Sequence, residues 1–183
     1  MKEFRNLIIL GPLIYALHHF EEHIVFNFRE WRLTYFLDNN TLSTEEVLLR
    51  LTSLLLIVII LHIIKNNKGS AHVVMFFLMA TQVVNAFFHI FFSFYFVDFS
   101  PGTITAITLY LPVNYLIFRA AFLEGYLGSF SELLLLFIAA SAVFMLFELI
   151  GPIVIGYTIT LMPLYYIYVN KMSERSWNKL KKR

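Results

Sequence analysis

Six long apolar runs divide the chain, near residues 6–28, 47–64, 71–97, 103–122, 132–150 and 153–170, with polar clusters between them. About 20 mostly apolar residues in a helix cross a bilayer core. The pattern therefore predicts an all-α bundle of about six membrane-spanning helices in one domain, followed by a basic tail at 171–183. Local signals set the ends. Arg29-Glu30-Trp31-Arg32 closes the first run, Trp31 and Tyr35 are placed as interfacial anchors, and a polar connection passes through Asp38, Asn39 and Asn40. Ser43, three residues ahead of Glu46, reads as a helix-capping box. Lys65-Asn66-Asn67-Lys68-Gly69 ends the second run, Pro101-Gly102 marks a turn, and Pro112 predicts a kink. Gly151-Pro152 splits the last apolar stretch. An unbroken helix over residues 132–170 would reach about 58 Å against a core of about 30 Å, so a hairpin of two spans is expected there.

The N-terminus resembles a secretory signal, with Lys2 and Arg5 ahead of the apolar stretch from Leu7 to Leu17. It carries no small-x-small cleavage pattern, so it is expected to stay as the first span. Basic residues then orient the bundle. With both ends cytoplasmic, only Arg29, Arg32 and Arg50 of the 14 Lys and Arg residues fall outside. The tail suits anionic lipid head groups rather than nucleic acid. Composition agrees with a membrane protein: 59% of the 183 residues are hydrophobic, 14% are charged, and mean hydropathy is +0.72. The absence of cysteine removes disulfides, thiolate nucleophiles and Cys-ligated metals.

One stretch breaks the pattern. His18-His19-Phe20-Glu21-Glu22-His23 sits inside the first apolar run, although a charge at membrane depth costs roughly 2.5–3.5 kcal/mol. On a helical wheel His18, Glu21 and Glu22 fall at about 0°, −60° and +40°, one face shared with Tyr15 and Arg29. His19 and His23, at about 100° and 140°, point elsewhere. The i,i+3 and i,i+4 spacings allow an imidazole and a carboxylate to converge on one ion, as in metal sites of helical bundles. Gln82, Asn85 and His89 share a face of the third run. Arg50 begins the second, Thr103, Thr105 and Thr108 begin the fourth, and Glu148 lies near the end of the fifth. Under the expected topology these groups lie at one level, near the outer leaflet. His62 and His72 fall at the inner end, unrelated to them.

His18-x-x-Glu21-Glu22 in a first span, with Asn85-x-x-x-His89 and Pro101-Gly102-Thr103 downstream, resembles the HXXEE domain family of small bacterial membrane proteins. The resemblance implies a multi-pass protein of the bacterial cytoplasmic (inner) membrane and supplies no chemistry. The residues themselves favour a membrane-embedded enzyme acting on a lipid or other hydrophobic small molecule. His18, Glu22, His89 and Glu148 would bind a divalent metal, zinc or iron, with Glu21 as general base and Asn85, Arg50 and Thr103 in support. A metal-dependent hydrolase or an acid/base isomerase fits; a metal-free Glu/His pair moving a proton fits equally. Alternatives are a proton- or cation-coupled transporter subunit, a haem protein with His18 and His89 as axial ligands, and a structural network pairing the carboxylates with Arg29 or Arg50. The nearly apolar inner half disfavours a continuous transport path.

Overall fold

The computed structural model describes residues 3–37 and 42–180, with side chains described to residue 173. Lys2, the connection through Asp38, Asn39 and Asn40, and the basic side chains of the tail beyond residue 173 lie outside the described residues. Among the described residues every regular element is helical. α1 (Glu3–Leu7), α2 (Leu10–Phe20) and a widened π turn (Glu21–Val25) form the first segment, and α3 (Phe28–Tyr35) follows. Then come α4 (Thr44–Lys65), α5 (Lys68–Tyr95), α6 (Thr103–Leu123), α7 (Phe130–Ile150) and α8 (Ile153–Leu180). Those last five each hold a stretch long and apolar enough to cross a membrane. The first segment does not, because it turns at Ile8 and Ile9, widens at Glu21, and ends where Phe26 becomes extended. Five of the six expected spans thus appear as helices long and apolar enough to cross, and the first run is a segmented stretch that is not.

Caps explain the helix starts. Ser43 and Glu46 form the expected box, each side chain bonding the other's backbone N–H. Asn67 and Ser70 repeat that arrangement ahead of α5, and Ser129 Oγ accepts from Glu132 N–H ahead of α7. α5 is the central helix: 72% of its most apolar window is buried, against 11–39% in the other four. Leu55 and Ile59 of α4, Ile117 and Ala121 of α6, and Leu136 and Ala140 of α7 pack on it. The outward faces are apolar as well, with Ile57, Leu135, Leu149 and Leu164 exposed, a surface suited to hydrocarbon rather than water.

Two further π turns interrupt long helices, Met79–Val84 in α5 and Ala106–Tyr110 in α6. The second lies directly ahead of Pro112, whose ring and missing N–H would otherwise clash with the preceding turn. α3 departs from expectation. Trp31 is buried and stacks on Phe28 at 5.8 Å, and Tyr35 stacks on Phe96 at 4.0 Å while donating to Asp98. These rings bind α3 back onto the end of α5, and Trp31 packs against protein. At the opposite end His72 donates to the Tyr126 carbonyl and meets the Tyr165 hydroxyl, His62 meets Ser70, and Lys68 pairs with Glu132 at 2.9 Å. That layer is a clamp between helices.

α5 ends in a Schellman motif. Asp98 N–H bonds Ser93 O and Val97 N–H bonds Phe94 O, which places Val97 in the left-handed C′ position at φ 53°. A β-branched residue is strained there and glycine is not. Val97→Gly is expected to stabilise the protein by about 1 kcal/mol, read as a higher melting temperature in detergent. A lower one would contradict this reading of the turn.

Candidate metal centre

Glu22 is the hub. Its Oε1 lies 3.0 Å from His89 Nε2 and 3.4 Å from His18 Nε2. Its Oε2 lies 3.6 Å from His19 Nδ1 and 3.7 Å from His23 Nε2. His18, Glu22 and His89 are all buried, and neither His18 Nε2 nor His89 Nε2 has a hydrogen-bond partner among the described residues. The spacings are informative. Ligands about 2.1 Å from a tetrahedral zinc lie about 3.4 Å apart, the spacing of the His18 contact, while the His89 contact at 3.0 Å has the length of a hydrogen bond.

The far side of each ring is held. His18 Nδ1 meets Thr105 Oγ1 at 2.8 Å, and that hydroxyl in turn donates to the Gly102 carbonyl. The two contacts hold the His18 ring from its far side, with Nε2 facing Glu22. His89 Nδ1 meets Ser100 Oγ at 2.9 Å, a contact that orients the ring with either atom as donor. His19 Nε2 can only donate to the Thr44 carbonyl, at 3.3 Å, so its Nδ1 faces Glu22 as a lone pair. Lone pairs opposite a carboxylate repel unless a proton or a metal cation lies between them. Outer-shell partners that orient the ring in this way are typical of metal-ligating histidines.

The Ser100–Thr105 turn carries the supports. Ser93 Oγ meets Thr103 Oγ1 and accepts from Ser100 N–H, and Thr103 Oγ1 donates to Ser100 O. Gly102 has φ +99°, and a Cβ there would lie 2.8 Å from His18 Cε1 and 3.0 Å from both Glu22 Cγ and His89 Cε1. Only glycine fits between the turn and the three converging side chains. Glu21 points into the same turn: Oε1 accepts from Gly102 and Ile104 N–H at 3.1 Å, and Oε2 from Thr105 N–H at 2.7 Å. It caps the N-terminus of α6 from another helix, where the helix dipole favours an anion. The adjacent glutamates therefore face different tasks, and Glu21 does not point at the histidines as a general base would.

The other expected site residues divide. Glu148 and Asn85 line the same cavity as the cluster, but Glu148 takes both Arg32 Nη2 and Nε, at 3.1 and 3.3 Å, and is in neither His/Glu group. Asn85 has a buried Oδ1 without a hydrogen-bond partner. Thr103 braces the turn. Arg50 is exposed beside Glu46, 3.8 Å away, and stands outside the site. The cavity encloses about 190 Å³ and runs from the His/Glu cluster between apolar walls that include Phe76, Phe77, Phe144, Phe147 and Val154.

His19 and His23, set aside on the wheel, join the cluster through Glu22. The wheel measured angles from His18, whereas Glu22 lies between His18 and His19, and the π turn at Glu21–Val25 further changes the register. Ser100 was not anticipated; a hydroxyl beside a Pro-Gly turn carries no pattern of its own. The Tyr110 ring lies tilted against His18 at 4.3 Å on the buried side.

The model of a family described as a protein of unknown function with HXXEE motif matches residues 9–117. No curated protein and no solved structure matches the chain. The matched region runs from α2 past His18, Glu21, Glu22, Asn85, His89 and the Pro101-Gly102-Thr103 turn into α6, and covers more than half of the sequence, so the chain belongs to the HXXEE family.

Proposed function

We propose that the chain is a multi-pass protein of the bacterial cytoplasmic membrane, with both ends inside. It binds a divalent metal, zinc or iron, through His18, Glu22 and His89, and acts as an enzyme on a lipid or other hydrophobic small molecule. The observation that carries this reading is the convergence of two buried Nε2 atoms, each on a ring oriented from its far side, with one carboxylate oxygen. A bound metal would bring water activation, lowering the pKa of water to about 7 in a zinc site. The protein's own groups do the rest. Thr105 and Ser100 orient the ligands, Tyr110 screens them, and the apolar cavity takes the hydrocarbon part of the substrate beside the polar cluster. Glu21 holds α6, and Arg32 holds Glu148 outside the ligand set. Hydrolysis or acid/base isomerisation needs no more than this arrangement.

The competing readings lose support at particular residues. A structural network would pair the carboxylates with Arg29 or Arg50; Arg50 is spent on Glu46 at the surface, and Arg29 lines the cavity. An axial haem pair needs a slot for the macrocycle, but Glu22 stands within 3.4 Å of both His18 and His89.

Elemental analysis of detergent-purified protein tests the proposal. Wild type should retain zinc or iron stoichiometrically after desalting, while His18→Ala and Glu22→Ala should lose it with far-UV circular dichroism unchanged. A wild type that binds neither metal after exposure to both overturns it, whatever the variants do.

A further inference from the structure

We infer that Glu22 bridges two cations, with a second metal site formed by His19, His23 and Glu22 Oε2 on the cavity side of the first. This rests on the reading that the His/Glu cluster binds metal. The carboxylate divides its oxygens: Oε1 faces His18 and His89, and Oε2 faces His19 and His23. In each group one ligand atom per residue lies within 4.8 Å of the others. Paired metals in two-metal sites sit about 3.5–4 Å apart, a spacing that a shared carboxylate spans.

The two positions differ in access. The first is enclosed, since His18 and His89 are 1% and 0% exposed and the Tyr110 ring lies against His18. The second is open. The side chain of His23 is 17% exposed, and both His19 and His23 line the cavity. Its donor set is also prepared, because His19 Nε2–H is committed to the Thr44 carbonyl and leaves Nδ1 as the ligating atom. The His19 and His23 rings lie tilted against each other with centroids 4.3 Å apart, a close approach that two protonated imidazoles would oppose and a shared cation would not. Each group supplies three protein ligands, the number a catalytic metal keeps, and the second lies nearer the open cavity. The outer ion is thus the one that contacts a ligand in the cavity.

The full chain in detergent, loaded with zinc and desalted, tests the bridge by elemental analysis. About two equivalents are expected in wild type, about one in His23→Ala, about one in His89→Ala and almost none in Glu22→Ala. Loaded with manganese instead, wild type should give the electron paramagnetic resonance of an exchange-coupled pair, and His23→Ala that of an isolated ion. His23 is part-exposed, so its removal spares the fold, which circular dichroism verifies. One equivalent in wild type, kept in His23→Ala and lost in His89→Ala, overturns the bridge but leaves the proposed function standing. No metal in any protein overturns both. Every other pattern, including two uncoupled ions, overturns the bridge.

Discussion

Gly102→Ala is expected to weaken metal binding at least tenfold and to destabilise the protein by about 2–4 kcal/mol, two effects that come from one methyl group. Part of the cost is in the backbone: at φ +99° an L side chain is strained by about 1–2 kcal/mol. The rest is collision. The new Cβ would stand 2.8–3.0 Å from His18 Cε1, Glu22 Cγ and His89 Cε1, and none of these can retreat freely. Thr105 and Ser100 hold the two rings at Nδ1, and Tyr110 lies against His18 at 4.3 Å. Gly125 provides the control. Its φ is +78°, so alanine is strained there too, yet nothing lies within 4 Å of a Cβ. Gly125→Ala should therefore lower the melting temperature modestly and leave zinc content unchanged. If Gly102→Ala holds as much zinc as Gly125→Ala, the turn does not pack on the ligands in solution.

Much of this was readable from apolar runs and polar exceptions. Val47–Ile64 contains no residue that stops a helix, and Ser43-x-x-Glu46 announces where it starts; α4 begins at Thr44 and ends at Lys65. The level shared by His18, Glu22 and His89 also followed from counting residues along spans, because depth depends on helical rise, about 1.5 Å per residue, which tolerates small errors. Direction does not tolerate them. A wheel assumes 100° per residue throughout, and each π turn inserts a residue that rotates everything beyond it. Glu21–Val25 lies inside the motif, so the assignment of His19 and His23 failed there.

The roles of partners were less legible than the positions of ligands. Glu148 was expected among the ligands because of its depth, but α3 folds back and brings Arg32 to 3.1 Å from it. That contact depends on Trp31 and Tyr35 packing against Phe96, residues whose composition reads equally well as an interfacial belt. Arg50 was the natural counter-ion by depth and lies on the wrong face of α4, beside Glu46 one turn away. Ion pairing in a bundle is decided by tertiary packing, and spacing along one helix does not contain it.

The two glutamates of the motif should separate cleanly under mutation, and Glu21 should carry the larger stability. Its carboxylate accepts from Gly102, Ile104 and Thr105 N–H, the donors that open α6 and have no intrahelical acceptor. Glu21→Ala would strand these donors in a buried site, and losing a buried charge-assisted acceptor costs about 3–5 kcal/mol. Glu21→Gln keeps one accepting oxygen but turns an NH₂ group toward backbone donors and removes the charge that the α6 dipole favours, so an intermediate loss is expected. Because the same turn carries Gly102, Ser100 and Thr105, zinc affinity should fall with stability in both variants. Glu22→Ala should lose zinc outright and, compared with metal-free wild type, lose less stability than Glu21→Ala, since among the described residues the polar contacts of its oxygens are with histidines and it strands no backbone donor. Thermal unfolding and elemental analysis of Glu21→Ala, Glu21→Gln and Glu22→Ala, read together, decide between a clamp and a base. A Glu21→Gln protein with wild-type melting and full zinc would mean that the carboxylate does not hold α6, and would restore the general-base role that the spacing of the motif first implied.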